Sequence, residues 1–290
     1  MARLAQVLAV LLCAACAGCT AHVASDPPVT APVTATPSPE QTHAEESPVQ
    51  ESATVTLTVV YDNNEPLPGA PAGLKTGWGF ACLIETPEST VLFDTGGDGP
   101  TLLGNLDALG IDAHSIDAII LSHDHGDHTG GLDALLERSA PPVAWLPASF
   151  PDSCERRFPE ATHIEHVTGP VEIAPGIRTL GEMGSAIVEQ SITVDTPDGR
   201  VLVTGCAHPG IVKIARAAAG DDGLALAIGG FHLKDSSAAE AADVARSMGD
   251  LGLRRAAPTH CTGEGGRAAF RAAFGEMYVP VGLGSVLVFD

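Results

Sequence analysis

A cluster of histidines and aspartates in the middle of the chain has the residue types and spacing of a metal site. Residues 123–128 read H-D-H-G-D-H and hold three of the eleven histidines and two aspartates. In an extended chain His123 and His125 project to the same side, and the glycine allows a turn that brings Asp127 and His128 back towards them. Imidazole and carboxylate groups are ligands for zinc, iron and manganese. The spacing predicts a site for two divalent ions rather than a polar surface loop.

The elements that must position this run alternate between strand and helix. The run follows a short apolar strand predicted over 118–121 and precedes a helix predicted over 131–137. Further strands are predicted over 54–61, 77–86, 90–94, 143–146, 162–167, 176–179, 191–195, 201–204, 224–228, 255–259 and 281–289, and further helices over 102–109, 211–218, 238–251 and 267–274. Apolar strands alternating with helices indicate an α/β fold with sheets covered on both faces. The hairpins among them favour mixed pairing, so we expect four layers ordered helix–sheet–sheet–helix.

Composition limits the classes of function. The chain has 290 residues, and 15 Lys and Arg against 36 Asp and Glu give a formal charge of −21. This charge argues against a binder of nucleic acid or of an anionic membrane surface, because such proteins neutralise phosphates with clustered basic residues. A small-molecule substrate, including an anionic one, remains compatible with the charge if a bound metal supplies local positive potential.

The first fifty-two residues predict export. Residues 1–18 contain one basic residue, Arg3, and an apolar stretch too short to span a bilayer, as in a signal peptide. Residues 16–19 read C-A-G-C and resemble a bacterial lipoprotein box, which would put the lipid anchor, and the only membrane contact, at Cys19. Cleavage after Ala17 and plain secretion is the alternative. Residues 19–52, rich in Pro, Thr, Ser and Glu, predict a disordered stalk, and residues 53–290 the catalytic domain.

Two motifs resemble a known superfamily. The run 123–128 resembles the hallmark of the metallo-β-lactamase-fold metallo-hydrolase superfamily, and residues 91–96 (V-L-F-D-T-G) look like its first motif. The resemblance covers residues 54–290 and implies a four-layer αββα sandwich with mixed sheets. It also implies that Asp94 supports a ligating histidine by hydrogen bonding. A turn residue is the other interpretation of Asp94.

Further stretches are similar to one branch of this superfamily, the dihydropteroate-synthase-like proteins. They are residues 78–85, 167–170, 189–191, 204–210, 228–233 and 259–263. Archaeal members of this branch are named for joining a dihydropterin methyl diphosphate to a ribofuranosylaminobenzene phosphate. Most other members are called metal-dependent hydrolases.

The resemblance implies a ligand set with one departure. One ion would be held by His123, His125 and His208, and the other by Asp127, His128 and His260, with two zinc ions expected and iron or manganese as alternatives. Cys206 stands where the superfamily usually has a metal-bridging aspartate, and His208 is the expected replacement ligand. Cys206 is either a thiolate ligand or a small buried residue.

These observations predict an exported metal-dependent hydrolase. Bound metal would activate a water, and Asp127 could accept a proton. His232 ends an apolar strand facing the same cleft, where it could bind a metal or substrate or act as an acid. Two alternatives remain: a transferase of the dihydropterin type, which the signal peptide does not favour, and a non-catalytic metal- or ligand-binding lipoprotein.

Overall fold

The structure of the protein, a computed structural model, describes residues 54–290. The strands of this part of the chain are β1 (Val55–Asp62), β2 (Phe80–Glu85), β3 (Thr90–Phe93), β4 (Ala118–Ile120), β5 (Val143–Pro147), β6 (His163–Val167), β7 (Val171–Ala174), β8 (Ile177–Thr179), β9 (Ile192–Thr196), β10 (Gly199–Thr204), β11 (Leu224–Gly230), β12 (Leu253–Thr259) and β13 (Val286–Phe289). The α-helices are α1 (Gly99–Leu109), α2 (Gly126–Thr129), α3 (Leu132–Arg138), α4 (Asp152–Glu155), α5 (Ile211–Ala219), α6 (Ala238–Asp250) and α7 (Gly263–Phe274).

The strands form two mixed sheets. The first has the order β13-β1-β2-β3-β4-β5-β6 and the second β12-β11-β10-β9-β8-β7. Within the first sheet β3, β4, β5 and β6 pair in parallel and the other neighbours are antiparallel. Within the second, β10, β11 and β12 are parallel. The predicted mixed pairing is confirmed.

Three apolar clusters join the layers. The two sheets bury side chains such as Phe93, Ile192 and Ile228 against each other. Helices α1 and α3 cover the outer face of the first sheet. Helix α5, with α6 and α7, covers the outer face of the second, and its buried Ile211, Ile214 and Ala218 recur at the spacing of one helical face. The predicted order helix–sheet–sheet–helix is therefore confirmed.

The predicted strands were wrong at two places at the margins of the sheets: one strand was missed and one began too early. No strand was predicted over β7, whose residues are only partly buried or exposed, so its sequence lacks the apolar alternation of a core strand. The last strand was predicted from residue 281 but begins at Val286, because residues 282–285 form a turn in which Gly284 has φ +76°.

The predicted signal peptide (1–18), the stalk (19–52) and the lipid anchor at Cys19 lie outside the described residues. Within residues 54–290, no helix is both long enough and apolar enough to cross a membrane.

Candidate metal centre

The predicted site residues converge at one edge of the sandwich, where strands of both sheets have their carboxyl ends. Each follows a strand end: Asp94 follows β3, His123 to His128 follow β4, Cys206 and His208 follow β10, His232 follows β11, and His260 follows β12. We call His123, His125, Asp127, His128, Cys206, His208 and His260 the candidate metal centre. Residues far apart in sequence meet here because parallel strands present their carboxyl ends at a common edge.

Asp94 organises the half of the centre that follows β4. Its carboxylate accepts hydrogen bonds from the Ser122 backbone N–H and hydroxyl, both at 2.7 Å, and from Nδ1 of His128 at 2.7 Å. All three residues are buried. The Ser122 hydroxyl also lies 2.8 Å from Nδ1 of His123. A single carboxylate thus orients His128 directly and His123 through a serine.

These partners determine which ring nitrogen is free in three histidines. The Ser122 hydroxyl donates to Asp94, so it accepts from Nδ1 of His123. Nδ1 of His128 donates to a carboxylate, and Nδ1 of His260 donates to Oδ1 of Asn63 at 2.7 Å. In each ring Nδ1 is held by a fixed partner, so Nε2 is the nitrogen that faces the centre and that a metal ion would bind in place of a proton.

Two of these Nε2 atoms, those of His128 and His260, lie beside the sulfur of Cys206. Nε2 of His128 lies 3.2 Å from Sγ of Cys206, and Nε2 of His260 lies 3.5 Å from the same sulfur. Oδ2 of Asp127 lies 3.4 Å from Nε2 of His260 and 3.8 Å from Nε2 of His128. Asp127, His128, Cys206 and His260 form one group whose donor atoms all lie within 4.8 Å of one another.

A second group consists of His123, Cys206 and His208, with donor atoms again within 4.8 Å of one another. His125 adjoins it, because its Nδ1 lies 3.0 Å from Nε2 of His123 and its ring centroid 4.9 Å from that of His208. A third group consists of Cys206, His232 and Cys261. Cys206 belongs to all three groups.

The donor set fits divalent metal ions. Nε2 of His208 is buried and has no hydrogen-bond partner within residues 54–290, although buried polar atoms are nearly always paired. His208 belongs to the second group, and its ring centroid lies 4.8 Å from that of His123. A cation bound there would give this orphaned nitrogen a partner, and imidazole, carboxylate and thiolate donors are ligands that zinc accepts.

The ionisation of the centre follows from burial and from the neighbouring rings. Burial lowers the pKa of His208 to about 4, with His232 and His125 adding to the shift. Burial and then the surrounding imidazoles likewise hold the pKa of His123 far below its ordinary value. Both rings are therefore neutral near pH 7. Burial alone would raise the pKa of Asp127, but its hydrogen bond to His260 and the charge of His128 outweigh it and keep the carboxylate ionised.

Glu189 holds the loop that carries Cys206 and His208, a role that sequence reasoning missed. Its Oε1 accepts the N–H groups of Cys206 and Ala207 at 2.9 and 2.8 Å, and its Oε2 accepts that of His208 at 2.8 Å. The side chain is buried, and burial raises its pKa to about 7 against the opposing effect of these hydrogen bonds. The only sequence signal for this role was a carboxylate shortly before β9. Its partners are backbone groups, which every residue has, so the sequence does not reveal them.

Close packing across the two sheets requires glycine at position 205. A Cβ built there would lie 2.3 Å from the Ser122 hydroxyl and 3.0 Å from the Asp94 carboxylate. Gln190 adds a polar link, because its side-chain N–H groups donate to the carbonyls of Leu121 and Trp145 while its Oε1 accepts from Thr179. The two halves of the centre therefore have a fixed separation.

Backbone strain is concentrated at the centre. Among residues 54–290, the non-glycine residues with positive φ are Asp94 at 61°, Ala207 at 62°, His232 at 52° and His260 at 46°. Such conformations are uncommon for residues with a Cβ and persist where the surrounding structure holds them.

The surface around the centre is open on two sides. Trp78 is 49% exposed, lies 5.0 Å from the ring of His260 between centroids, and has Nζ of Lys234 over its own ring at 5.0 Å. On the other side, a cleft of about 390 Å³ adjoins His125 and is lined by residues 149–151 and 186–188. The cleft therefore opens the centre to solvent at His125.

This arrangement, a histidine-rich centre at the strand ends of an αββα sandwich, defines a class of metal-dependent enzymes. The metallo-beta-lactamase superfamily model matches residues 79–260, and the chain belongs to that superfamily. Members generally bind divalent metal ions, and the donor groups described above provide for this.

Three individual proteins are similar to most of the chain. The chain is 28% identical over 282 residues to the 7,8-dihydropterin-6-methyl-4-(beta-D-ribofuranosyl)-aminobenzene-5'-phosphate synthase of Methanocaldococcus jannaschii, covering 79% of this chain and 96% of that protein. It is also similar to the solved structure of Tm1679, described as a metal-dependent hydrolase of the beta-lactamase superfamily, with 26% identity, a TM-score of 0.66 and coverage of 80% and 98%. The fold of YhfI from Bacillus subtilis matches with a TM-score of 0.58 at 16% identity, over 82% and 100% of the two chains.

Proposed function

We propose that the protein is a metal-dependent hydrolase of a small-molecule substrate. The observation that carries the proposal is Nε2 of His208, which is buried and has no partner within residues 54–290, in a ring that contacts the rings of His123 and His125. It is supported by the similarity to Tm1679. Two zinc ions are proposed, with the ligand set His123, His125 and His208 for one and Asp127, His128 and His260 for the other.

Bound divalent ions supply Lewis acidity, which polarises a scissile bond and makes water more acidic. The chain's own residues fix the geometry: Asp94 and Asn63 hold the rings with Nε2 inwards, and Glu189 holds the backbone of His208. Asp127 is ionised and partly exposed, so its Oδ2 can accept a proton from a nucleophile entering the open side.

The test is turnover before and after metal removal. A panel of ester, thioester, lactam, phosphomonoester and phosphodiester substrates is assayed with the purified protein, then after chelation and after adding back zinc or manganese. We expect hydrolysis of at least one class, loss of turnover on chelation and recovery with metal. The His123→Ala variant should be inactive, while His114→Ala, a substitution at an exposed histidine that belongs to none of the donor groups described above, should match wild type. Turnover that survives complete chelation would contradict the proposal, and tight metal binding without turnover would instead support a non-catalytic binder.

The second candidate function is group transfer, favoured by the 28% identity to a synthase over nearly all of that protein's length. In this case the same centre would stabilise a departing diphosphate while an arylamine or aryl carbon attacks. A dihydropterin methyl diphosphate is incubated with the protein, with and without a ribofuranosylaminobenzene phosphate, and the products are identified by mass spectrometry. A coupled product that forms only with the acceptor supports transfer, whereas the hydrolysed pterin alone supports hydrolysis.

We further propose that the protein is exported and anchored through lipid on Cys19, on the strength of residues 1–19 alone. Labelling with a fatty-acid analogue in a bacterial host, followed by membrane fractionation, tests this. The label and the membrane association should both be lost in Cys19→Ser. An unlabelled wild-type protein in the medium would indicate plain secretion.

A further inference from the structure

Two thiols and an imidazole form a donor cluster on one side of the candidate metal centre. The donor atoms of Cys206, His232 and Cys261 all lie within 4.8 Å of one another. Sγ of Cys261 lies 3.5 Å from the carbonyl oxygen of Cys206. The ring of His232 adds a contact with the ring of His208, at 4.3 Å between centroids. The proposed hydrolase uses neither His232 nor Cys261.

The second sheet brings this cluster together. Cys206, His232 and Cys261 follow the ends of β10, β11 and β12, which are consecutive parallel neighbours. Gly230, the last residue of the middle strand, allows the thiols to approach, because a Cβ there would lie 2.6 Å from Sγ of Cys261 and 3.2 Å from Cα of Cys206. Any other residue at this position would push the two cysteines apart.

The chemistry of this cluster differs from that of the histidine and carboxylate groups beside it. Two sulfur donors with one imidazole select thiophilic ions such as Zn²⁺ and Cd²⁺, whereas carboxylate-containing sets also suit Fe²⁺ and Mn²⁺. The two cysteines are buried, but His232 is exposed. An ion held by the three residues would thus be reachable from solvent and would keep one position open.

The other two described cysteines lack such surroundings. Cys82 lies in the core between the sheets and Cys154 in the core beneath the first sheet. Neither belongs to a group of metal-ligating side chains within residues 54–290. Buried thiols without partners of this kind behave as small apolar side chains, so these two cysteines serve as matched controls.

We infer that Cys206, Cys261 and His232 form a further metal position for a thiophilic divalent ion of the zinc type. The position shares Cys206 with the two neighbouring donor groups, which contain proposed hydrolase ligands. On binding, both thiols lose their protons to solvent, two sulfur–metal bonds and one nitrogen–metal bond form, and His232 acts as a ligand instead of the acid considered from the sequence. This inference goes beyond the proposed function, since metal can occupy the position without substrate.

The test is cadmium titration of the reduced, metal-free full chain, followed by its ultraviolet sulfur-to-cadmium charge-transfer absorption. Every sample carries serine substitutions of Cys13, Cys16 and Cys19, so that the four described cysteines are the only thiols. We expect a strong band that falls to about half or less in Cys261→Ser, because one of two thiolates is lost. Cys82→Ser and Cys154→Ser should keep the full band. An unchanged band in Cys261→Ser would overturn the inference.

Cadmium-113 NMR gives a second measurement, in which the number of sulfur ligands is read from the parent protein alone and only the role of His232 is read from a variant. A resonance in the range of two-sulfur ligation, which shifts in His232→Ala, supports the position. Only signals from cadmium with one sulfur ligand or none, or a resonance unmoved by His232→Ala, would overturn it. No substrate is present, so failure here leaves the hydrolase proposal standing, and loss of turnover in the hydrolase assay does not affect this result.

Discussion

The half of the candidate metal centre that follows β4 is held by side-chain hydrogen bonds, whereas in the half supplied by the second sheet the loop that carries Cys206 and His208 is held through its backbone. In the first half, Asp94 and Ser122 bond directly or in relay to the rings of His123 and His128. In the second half, Glu189 accepts backbone N–H groups of the loop carrying Cys206 and His208. Within residues 54–290, the rings of His208 and His232 have no comparable carboxylate partner.

This difference indicates two ways of fixing a ligand. A side-chain partner fixes both the direction and the tautomer of one ring, so its loss should affect metal affinity most. A backbone partner fixes the position of a whole loop, so its loss should affect folding stability and the shape of the centre together. Four substitutions, at Asp94, Glu189, Gly205 and Asn63, test this distinction.

Asp94→Asn should have the largest effect. The substitution keeps the size of the side chain but leaves the buried His128 without its carboxylate, a type of loss that costs about 3–5 kcal/mol. Zinc affinity should fall about 10–100-fold. Chemical denaturation and competition with a chromophoric chelator measure the two effects. Asp107→Asn, at an exposed aspartate paired with Arg138, is the control and should change little. Wild-type zinc affinity in Asp94→Asn would show that the first half does not depend on this carboxylate.

Glu189 should make stability pH-dependent in the metal-free protein. Its folded pKa of about 7 lies above the ordinary value of 4.5, so its contribution is fully present below about pH 4.5 and is lost as the pH rises through about 7. Wild type should therefore lose about 3 kcal/mol over this interval relative to Glu189→Gln, which does not titrate. Urea denaturation of the chelated proteins at a series of pH values measures the slope. Parallel curves for the two proteins would contradict the assignment.

Gly205→Ala should separate the two halves. Its Cβ would meet the Ser122 hydroxyl at 2.3 Å, and overpacking of this kind costs about 1–3 kcal/mol. Gly104→Ala is the control and should change folding stability in the opposite direction. Gly104 lies in α1, and no described atom lies within 4 Å of an added Cβ. That substitution should stabilise by about 0.5–1 kcal/mol. Equal stabilisation by both substitutions would mean that the halves can move apart freely.

Asn63→Ala should have the smallest effect. It removes the acceptor for Nδ1 of His260, but Asn63 is only half-buried and water can take its place. We expect a loss of about 1 kcal/mol in zinc affinity. Asn63→Asp keeps an acceptor oxygen and should restore most of the affinity. If Asn63→Ala and Asn63→Asp weaken zinc equally, the hydrogen bond to His260 is not the cause.

The sequence predicted the first half of the centre better than the second. Residues 123–128 are contiguous, so their spacing alone places the side chains together. Asp94 could be proposed because it resembles a known motif at the end of a strand. The layer order followed from apolar periodicity, whereas β7 was missed because its side chains are largely solvent-facing.

The second half depends on contacts that no local pattern encodes. Glu189 acts on backbone groups 17 to 19 residues away, and the partner of His260 is Asn63, 197 residues away. Asn63 stands at the end of β1, where a turn residue is equally typical. The closeness of Cys206 and Cys261 depends on Gly230, a glycine whose role appears only when the three parallel strands are placed side by side.

The four non-glycine residues with positive φ among residues 54–290 affect which substitutions the protein can accept. These residues are Asp94, Ala207, His232 and His260, and each of their backbone conformations costs on the order of 1 kcal/mol. Selection for thermal stability alone would favour glycine or asparagine at such positions. Three of the four residues nevertheless have a carboxylate or imidazole side chain at or beside the centre. At these residues a substitution that increases folding stability therefore tends to reduce activity. Ala207 contributes no donor atom, so it is the position where stability can increase with the least loss of activity.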